Sequence, residues 1–541
     1  MLIALLQRTP VVGLLSVADK MVTALPIGAI LKSAAAAAAW FGAMNSLAGE
    51  YDGARATLLA IDDYSLPLKS NLCYYMSAPT VRAEPVLTPS RRNPHATDTI
   101  GAYFYGTVLH EGGKFRMWYY GLSREEHPEP KSDLSSGLHE GPVCYAESLD
   151  GIRWVKPKLG QVSFNGGDDN NAIALPADRS MGVFVIRDDD DPDPSRRYKM
   201  VYENPSRSKG TTVEKAVSPD GIVWKGAGTA ASRLEPSSFY KFNGLYTITA
   251  HNLAFISEGG HLGGRQGYAW VSPDFDRWLP EAGESFLLAE PANPNDRGYN
   301  RPYVQVHVGV GAFSYGNALV GLYCPWHACP KPGDWFGTGT TFGDFGLVVS
   351  NDGQHFREVV KGFVYLNRHD SPVSEAAVRP DVRYEEILNQ GNGILNVGDE
   401  TRIYHGRWMN TEKFEDFYSE IALATLPRDR WGALGLFPHA SEGAAWTAPM
   451  TLCDAGSKVS LNAQGIVGMR VEIADERFRL IPEYSGENAG AAGTADGLDC
   501  LVAWPRANLG ALGGRRVRLL IHLQRGEYAE PRLFAVYVSS G

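Results

Sequence analysis

The stretch Ser148-Leu149-Asp150-Gly151-Ile152-Arg153-Trp154 recurs along the chain. It returns as Ser218-Pro219-Asp220-Gly221-Ile222-Val223-Trp224, Ser272-Pro273-Asp274-Phe275-Asp276-Arg277-Trp278 and Ser350-Asn351-Asp352-Gly353-Gln354-His355-Phe356, and in altered form as Thr425-Leu426-Pro427-Arg428-Asp429-Arg430-Trp431. A serine before the bend, an Asp-Gly pair that accepts positive φ and an aromatic residue afterwards are typical of a β-hairpin turn. Five copies of one unit predict a repeat architecture.

Each copy follows a run of aromatic and β-branched residues that is typical of a β-strand. These runs are 115–120, 197–202, 245–249, 319–323 and 402–406. Strand, strand, turn and aromatic strand, five times over, predict five four-stranded blades. A β-propeller closes such units without leaving long sheet edges exposed. We therefore predict an all-β chain with a five-bladed β-propeller over residues 51–438.

The repeat stops near residue 440, and a different pattern follows. Segments 469–473 and 517–523 alternate apolar and polar residues with a period of two, and glycine-rich turns separate such segments. This pattern is typical of an antiparallel β-sandwich. We predict a C-terminal β-sandwich over residues 439–541.

Residues 1–50 are apolar but are interrupted by Arg8, Lys20 and Lys32. No stretch reaches the length of uncharged residues that a membrane span needs, so no transmembrane span is predicted. Residues 33–44 have strong helix propensity. The segment fits a secretory signal, a membrane-surface helix, or a helical N-terminal arm packed on the body or on a second copy. We favour the arm, which implies a cytoplasmic homo-oligomer; a signal would imply a secreted or periplasmic protein.

Composition excludes several functional classes. The net charge of -10 over 541 residues argues against nucleic acid as a partner. Six cysteines in so long a chain do not form a disulfide framework. The run Cys324-Pro325-Trp326-His327-Ala328-Cys329 lacks a second Cys/His pair, so no metal is predicted. No phosphate-binding loop or dinucleotide fingerprint is present, and we predict no cofactor. The acidic run 187–194 is interpreted as a solvated turn.

Polar residues at the starts of the first strands of a propeller converge on one funnel around its axis. Cleavage of a glycosidic bond there requires two carboxyl groups, one protonated and one ionised. Glu235 stands just before an aromatic run that ends in Asn243-Gly244. On an innermost strand its carboxyl group would face the funnel, where burial raises the pKa as a general acid requires.

This Glu235 run, the Ser-x-Asp-Gly-x-x-Trp repeats and the C-terminal alternation resemble the five-bladed-propeller glycoside hydrolases, the superfamily of arabinanases, β-xylosidases, invertases and levanases. The resemblance covers about residues 55–541. It implies a glycosidase that hydrolyses or transfers a furanoside, such as a fructosyl or arabinosyl group of an oligo- or polysaccharide. Glu235 would be its general acid.

The chain departs from this family where the second carboxylate should stand. The family carries an Asp at the start of the first blade, whereas 101–108 here contains no carboxylate and Asp98 is the nearest. The invertase-type Arg-Asp-Pro of blade two is also absent, which leaves Asp169 or Asp178 as substitutes. We therefore predict Asp98 first and Asp169 second as the nucleophile or base.

Further polar and aromatic residues fall at plausible funnel positions, and we predict that they bind the carbohydrate substrate. They are His251, Arg301, His307, Trp326, His327, Gln390 and Asn392. Trp326 would stack on a sugar ring. Two alternatives remain open: a non-catalytic carbohydrate-binding propeller, favoured by the missing blade-one Asp, and a glycoside phosphorylase in which Arg301 and His307 begin a phosphate site.

Overall fold

The structure, a computed structural model, describes residues 55–124, 138–177, 180–204, 211–232, 235–252, 266–280, 304–327, 342–377, 383–384, 386–388, 390–409, 417–453, 456–527 and 529–540. The predicted N-terminal arm lies outside these residues. The described chain is all-β, as predicted. Its helical turns are short 3-10 segments, at Pro194–Arg196, Arg368–Asp370, Ile466–Gly468, Pro482–Tyr484, Gly486–Asn488 and Leu509–Leu512. Within the described ranges, no helix has the length and apolar character of a membrane span.

Four short strands open the described chain, and the repeat units follow them. The opening strands are β1 (Arg55–Leu59), β2 (Leu68–Ser70), β3 (Leu72–Met76) and β4 (Thr80–Val81). The first repeat unit contains β5 (Gly101–Glu111), β6 (Lys114–Arg124) and β7 (Leu138–Ser148). The second is a four-stranded antiparallel sheet of β8 (Met181–Arg187), β9 (Tyr198–Asn204), β10 (Thr212–Ser218) and β11 (Lys225–Ser232).

Three more units complete the repeat region. The third is a four-stranded sheet of β12 (Glu235–Phe242), β13 (Leu245–Asn252), β14 (Gln266–Ser272) and β15 (Leu279–Pro280). The fourth contains β16 (Val304–Ser314), β17 (Leu319–His327), β18 (Phe342–Gly343), β19 (Gly346–Ser350) and β20 (Arg357–Glu358). The fifth contains β21 (Glu386–Leu388), β22 (Gln390–Asn392), β23 (Ile394–Val397), β24 (Glu400–Met409) and β25 (Tyr418–Pro427), and β4 pairs with β25.

The recurring Ser-x-Asp-Gly motif forms a turn held by its own side chains. Ser148 Oγ accepts a hydrogen bond from the Gly151 amide at 2.9 Å, and Asp150 Oδ1 accepts from the amides of Ile152 and Arg153 at 2.8 Å. Gly151 has φ of 72°, so the predicted positive φ is confirmed. The indole of Trp154 closes the turn by donating to the Gly151 carbonyl at 3.2 Å.

Each turn is also held by a side chain of the preceding unit. The donors and acceptors run in order around the units: Arg116 to Asp220 O, Lys215 to Phe275 O, Tyr240 to Gly353 O, Tyr315 to Asp429 Oδ1, and Tyr404 of the fifth unit to Gly151 O of the first. The first strands are also in mutual contact, β5 with β8, β8 with β12, β12 with β16, β16 with β22, and β22 with β5. Both series return to their starting point.

A second, twelve-stranded sheet system contains the C-terminal strands. These are β26 (Gly432–Leu436), β27 (Glu442–Trp446), β28 (Met450–Thr451), β29 (Ser457–Gln464), β30 (Met469–Asp475), β31 (Gly490–Ala492), β32 (Gly497–Ala503), β33 (Arg516–Gln524) and β34 (Arg532–Ser540). They enclose a core that includes Leu58, Leu461, Val471, Ile521 and Val536.

The strands β1, β2 and β3 join this C-terminal system, where β1 pairs with β34, β2 with β27 and β3 with β26. The predicted boundaries had placed these strands with the repeat units. The pairing means that both ends of the described chain build the same sheets. The domain limits 51–438 and 439–541 themselves stay a prediction.

Candidate functional site

The five first strands begin at the same end of the repeat units, which we call the start face. Residues of neighbouring first strands lie against one another. A Cβ built on Gly182 would lie 3.8 Å from Pro236 O, and one on Gly309 would lie 2.9 Å from the Ser237 Cβ. β22 runs parallel to β5, with Gln390 opposite Tyr105. Met181 and Glu235 therefore begin their strands beside one another, whereas Val304 begins β16 five residues before Gly309 and Gly101 begins β5 four residues before Tyr105.

Glu235 is the first residue of β12, at the start face, and it is half-buried. Its backbone lies opposite His251 of β13, and the register shifts between Pro236 and Ser238. The following residues fix β12 firmly, because Ser238 Oγ donates to Val310 O at 2.6 Å. The structure thus provides a rigid strand start for Glu235. Its catalytic role stays a prediction.

Asp98 is fully buried on the flank of the first unit, where Lys156 holds it. Its Oδ2 accepts hydrogen bonds from Lys156 Nζ at 2.5 Å and from Tyr119 OH at 2.8 Å. Lys156 Nζ also donates to Thr88 O at 2.7 Å and to Ser90 Oγ at 2.9 Å. Burial, and then the charge of Asp98, raise the pKa of the Cys144 thiol to about 12. In the described chain, Asp98 is half of a structural ion pair.

Asp169 is about half exposed and pairs with Lys158, whose Nζ lies 2.8 Å from its Oδ2. Both sequence-predicted bases are therefore held by lysines of one short segment that follows the first turn motif. No described contact joins Asp98 or Asp169 to Glu235.

Asn392 ties three first strands together. Its amide nitrogen donates to Phe239 O of β12 at 2.6 Å and to Val185 O of β8 at 3.3 Å. The preceding Gly391 is packed so closely that a Cβ would lie 1.7 Å from Gly106 O. Only glycine fits there. The contacts of Asn392 are structural, and its predicted role in binding substrate stays a prediction.

The other predicted substrate-binding residues are placed through their backbone alone, except Arg301, which is not placed. In the pairing of β16 with β17, Val304 lies opposite His327, Gln305 opposite Trp326 and His307 opposite Cys324. Trp326 and His327 therefore lie opposite the first two residues of β16. His251 ends close to the start face on β13, and Gln390 begins β22. Arg301 lies outside the described residues.

Sequence reasoning missed an aromatic cluster beside the start of β5. Tyr103 stacks on Tyr120 with ring centroids 4.4 Å apart and contacts Trp408 edge-on at 4.9 Å. Phe417 stacks on the other side of Tyr103 at 5.3 Å. The alternation Tyr103-Phe104-Tyr105 was the available signal, because it places both tyrosines on one face of the strand.

Sequence reasoning also missed Glu203, a buried carboxylate opposite Met181 at the start of β8. Glu203, Val201 and Lys199 are spaced two residues apart along β9. Val201 belongs to the same apolar cluster as Phe239 of the third unit, and the ammonium of Lys199 lies over the ring of Tyr246. Side chains two apart on a strand share a face, so Glu203 faces the third unit, whose first residue is Glu235.

A second buried charge cluster lies in the fifth unit. Arg407 pairs with Glu420 at 2.5 Å, and the hydroxyls of Tyr384 and Tyr418 also donate to Glu420. Arg407 further donates to Pro372 O at 2.9 Å. This cluster fixes the segment after β20 against β24. For metal ions, the described residues contain no group of three or more His, Cys, Asp or Glu side chains arranged as ligands.

No protein-family model matches the chain. Two curated relatives, "Uncharacterized protein Rv1502" of Mycobacterium tuberculosis (strain ATCC 25618 / H37Rv) and "Uncharacterized protein MT1551" of Mycobacterium tuberculosis (strain CDC 1551 / Oshkosh), are each 26% identical over 149 residues. The match covers 27% of this chain and 38% of each relative.

Several solved structures are similar in shape. A β-1,2-mannobiose phosphorylase from Listeria innocua has a TM-score of 0.38 at 14% identity, covering 66% of this chain and 97% of that chain. A glycosyl hydrolase from Bacteroides ovatus has a TM-score of 0.40 at 14% identity, covering 66% and 95%. A glycoside hydrolase family 43 arabinoxylan arabinofuranohydrolase from Bacillus subtilis has a TM-score of 0.33 at 10% identity, covering 85% and 99%. With TM-scores below 0.5, these similarities do not establish a shared fold or a shared reaction.

Proposed function

We propose that the protein is a carbohydrate-active enzyme whose repeat units form a five-bladed β-propeller, with the C-terminal strands as a β-sandwich. Two series of contacts support this arrangement. The first strands contact one another in a cycle, and side chains of each unit hold the turn of the next. The bond from Tyr404 to Gly151 O links the fifth unit to the first, which is what a closed ring requires.

The proposed reaction is cleavage or transfer of a glycosyl group, with a fructosyl or arabinosyl furanoside as the substrate class. Glu235 is the general acid that protonates the leaving oxygen of the glycosidic bond. The observation that carries this proposal is the position of Glu235, half-buried at the start of β12, where the first strands of neighbouring units meet. A second carboxylate then attacks the sugar or activates a water molecule.

We place Glu203 first for this second role, ahead of the sequence-predicted Asp98 and Asp169. Glu203 is buried, faces the third unit and lies opposite the first residue of β8. β8 in turn contacts β12 close to Glu235. Asp98 and Asp169 are each held in an ion pair with a lysine of the first unit.

The test is a product screen on aryl furanosides, fructans and arabinans with the wild type, Glu235→Gln, Glu203→Gln, Asp98→Asn and Asp169→Asn. If Glu235 is the acid, Glu235→Gln lowers turnover by at least about a hundredfold for a poor leaving group, because a general acid contributes that much. The same variant loses less on a nitrophenyl furanoside, whose leaving group needs little protonation. Equal losses on both substrates, or activity that survives the substitution, would remove Glu235 from this role.

A non-catalytic carbohydrate-binding propeller is the second candidate, and the lysine ion pairs of Asp98 and Asp169 favour it. In that case every variant in the series binds oligosaccharide and none of the proteins, wild type included, releases product. Adding inorganic phosphate to the wild-type reaction tests the phosphorylase alternative, since a phosphorylase would release a sugar 1-phosphate through Arg301 and His307.

A further inference from the structure

A cavity of about 500 Å³ lies on the first unit, between the segment that leads into β5 and the segment after the first turn motif. Arg92, His95, Lys156, Lys158 and Asp169 line it, together with three asparagines. It involves no residue of β12. Some lining groups already make hydrogen bonds or ion pairs within the protein. The groups that do not are the ones that determine which ligand the cavity can bind.

The three asparagines have little left to offer a ligand. Asn93 Nδ2 donates to Asp169 O at 2.6 Å, and Asn170 Nδ2 donates to His95 O at 3.1 Å and to Val162 O at 2.9 Å. Asn171 Nδ2 donates to Tyr119 OH at 2.9 Å and to Tyr145 O at 2.8 Å. These amides build rigid walls, and they do not form the array of free donors and acceptors that a neutral sugar would need.

Lys156 is also committed, because its ammonium donates to Asp98, Thr88 and Ser90 and has three protons in all. Arg92 differs. It is exposed, and in the described part of the chain its guanidinium makes no hydrogen bond or ion pair. Lys158 pairs, among the residues that the structure describes, with Asp169 alone, in an exposed pair of the kind that contributes little to stability. Two cationic groups are thus available to a ligand, which indicates an anion.

The cavity also offers hydrogen-bond acceptors. His95 Nδ1 lies 3.1 Å from Asn165 O, and because a carbonyl only accepts, Nδ1 carries the proton and Nε2 remains available. A Cβ at Gly167 would lie 2.5 Å from the His95 ring, so this glycine lets the loop close on the ring and hold it in place. Asp169 contributes a carboxylate, which accepts hydrogen bonds when ionised. An anion that also carries a hydroxyl group can donate a hydrogen bond to one of these acceptors, and it should therefore bind more tightly than an anion without one.

We propose that this cavity binds inorganic hydrogen phosphate. Arg92 and Lys158 neutralise its charge, Arg92 by a two-pronged contact of the kind that guanidinium groups make with phosphate oxygens. The P–OH group donates to Asp169 or to Nε2 of His95. Sulfate has the same shape and charge but no proton at neutral pH, so it cannot donate a hydrogen bond to Asp169 or to Nε2 of His95.

The experiment is a calorimetric titration of the full chain near neutral pH with inorganic phosphate, sulfate, glucose 6-phosphate and glucose. Phosphate is expected to bind saturably, sulfate at least about tenfold more weakly, and glucose not at all. Arg92→Ala combined with Lys158→Ala should weaken phosphate by at least about tenfold. Lys225→Ala combined with Lys361→Ala removes the same charge from exposed positions elsewhere and should leave phosphate affinity unchanged.

Asp169→Asn gives a second, milder measurement: the new amide can donate a hydrogen bond to either anion, so the difference in affinity between sulfate and phosphate should narrow. Equal affinity of the wild type for both anions would overturn the proposal. So would phosphate binding that survives the Arg92/Lys158 substitutions, or the absence of saturable phosphate binding. Tighter binding of glucose 6-phosphate than of phosphate would overturn the assignment to the free anion. None of these outcomes depends on glycosidase activity.

Discussion

The hydroxyl of Tyr404 donates a hydrogen bond to the carbonyl of Gly151 at 2.8 Å and so joins the fifth repeat unit to the first. Arg402 adds a second bond from the same strand, to Asp150 O at 2.6 Å. A Cβ at Gly151 would lie 2.5 Å from the Tyr404 hydroxyl, so the glycine is needed for this approach as well as for its positive φ.

Tyr404→Phe should lower the free energy of unfolding by about 1 kcal/mol, since it removes one hydrogen bond from a buried carbonyl that Trp154 still serves. Tyr75→Phe is the matched control, because it removes a comparable bond from β3 to Leu436 O of β26, outside the repeat units. Hydrogen exchange should accelerate in the first and fifth units for Tyr404→Phe alone. Identical exchange patterns in the two variants would argue against a ring closed at this contact.

Lys156→Met should lower the free energy of unfolding by about 3 kcal/mol or more, because it leaves the buried carboxylate of Asp98 without its counter-ion. Lys158→Met removes the exposed partner of Asp169 and should cost at most about 1 kcal/mol. Adding Asp98→Asn to Lys156→Met should recover part of the loss. Denaturant unfolding measures all three, and equal costs for the two lysines would show that Asp98 is not the buried charge described here.

Asp188 makes stability depend on pH in the acid range. Its burial alone would raise its pKa, but hydrogen bonds from Lys199, Tyr246 and Lys241 outweigh burial and lower the pKa to about 2. The resulting stabilisation is present above the unfolded pKa near 4 and is lost as the pH falls from about 4 to about 2. The unfolding free energies of the wild type and Asp188→Asn should therefore converge over that interval.

Asp190→Asn is the control for Asp188, because Asp190 is the exposed partner of the same Lys241. Its difference from the wild type should be small at every pH. A constant gap between the wild type and Asp188→Asn down to pH of about 2 would contradict the lowered pKa.

Asn392→Ala should lower the free energy of unfolding by about 1–3 kcal/mol, since two buried carbonyls on β8 and β12 lose a donor. Saccharide titration of the folded variant tests its predicted role in binding at the same time. Weaker saccharide binding at unchanged stability would reverse the assignment and make Asn392 a ligand-contacting residue.

Local chemistry predicted the turns well. The positive φ expected at Gly151, Gly221 and Gly353 is present. In the third copy Phe275 takes φ of 66° although it is not glycine, and its ring is fully buried. Burial of an aromatic ring outweighs the cost of about 1–2 kcal/mol for this backbone conformation. In the fifth copy the positive φ moves to Asp429, where the motif has diverged most.

Contacts between distant residues were not predictable from local patterns. A carboxylate is visible in the sequence, whereas its counter-ion is not: Lys156 stands 58 positions from Asp98. The acidic run 187–194 was interpreted as a solvated turn, yet Asp188 is buried because Lys199, Lys241 and Tyr246 surround it. The partners of β1, β2 and β3 likewise lie at the far end of the chain, and no periodicity in the sequence predicts these pairings.

That last pairing constrains how the protein is made. Leu58 of β1 faces Val536 of β34, so one of the earliest described strands emerges from the ribosome hundreds of residues before its neighbour is translated. Until then its apolar side chains and unpaired backbone groups are open to wrong partners, which is the situation in which nascent chains aggregate or recruit chaperones. A stop codon just upstream of Arg532 would therefore remove β34 and leave β1, at the other end of the chain, without its pairing strand, even though every residue of the repeat units had been synthesised.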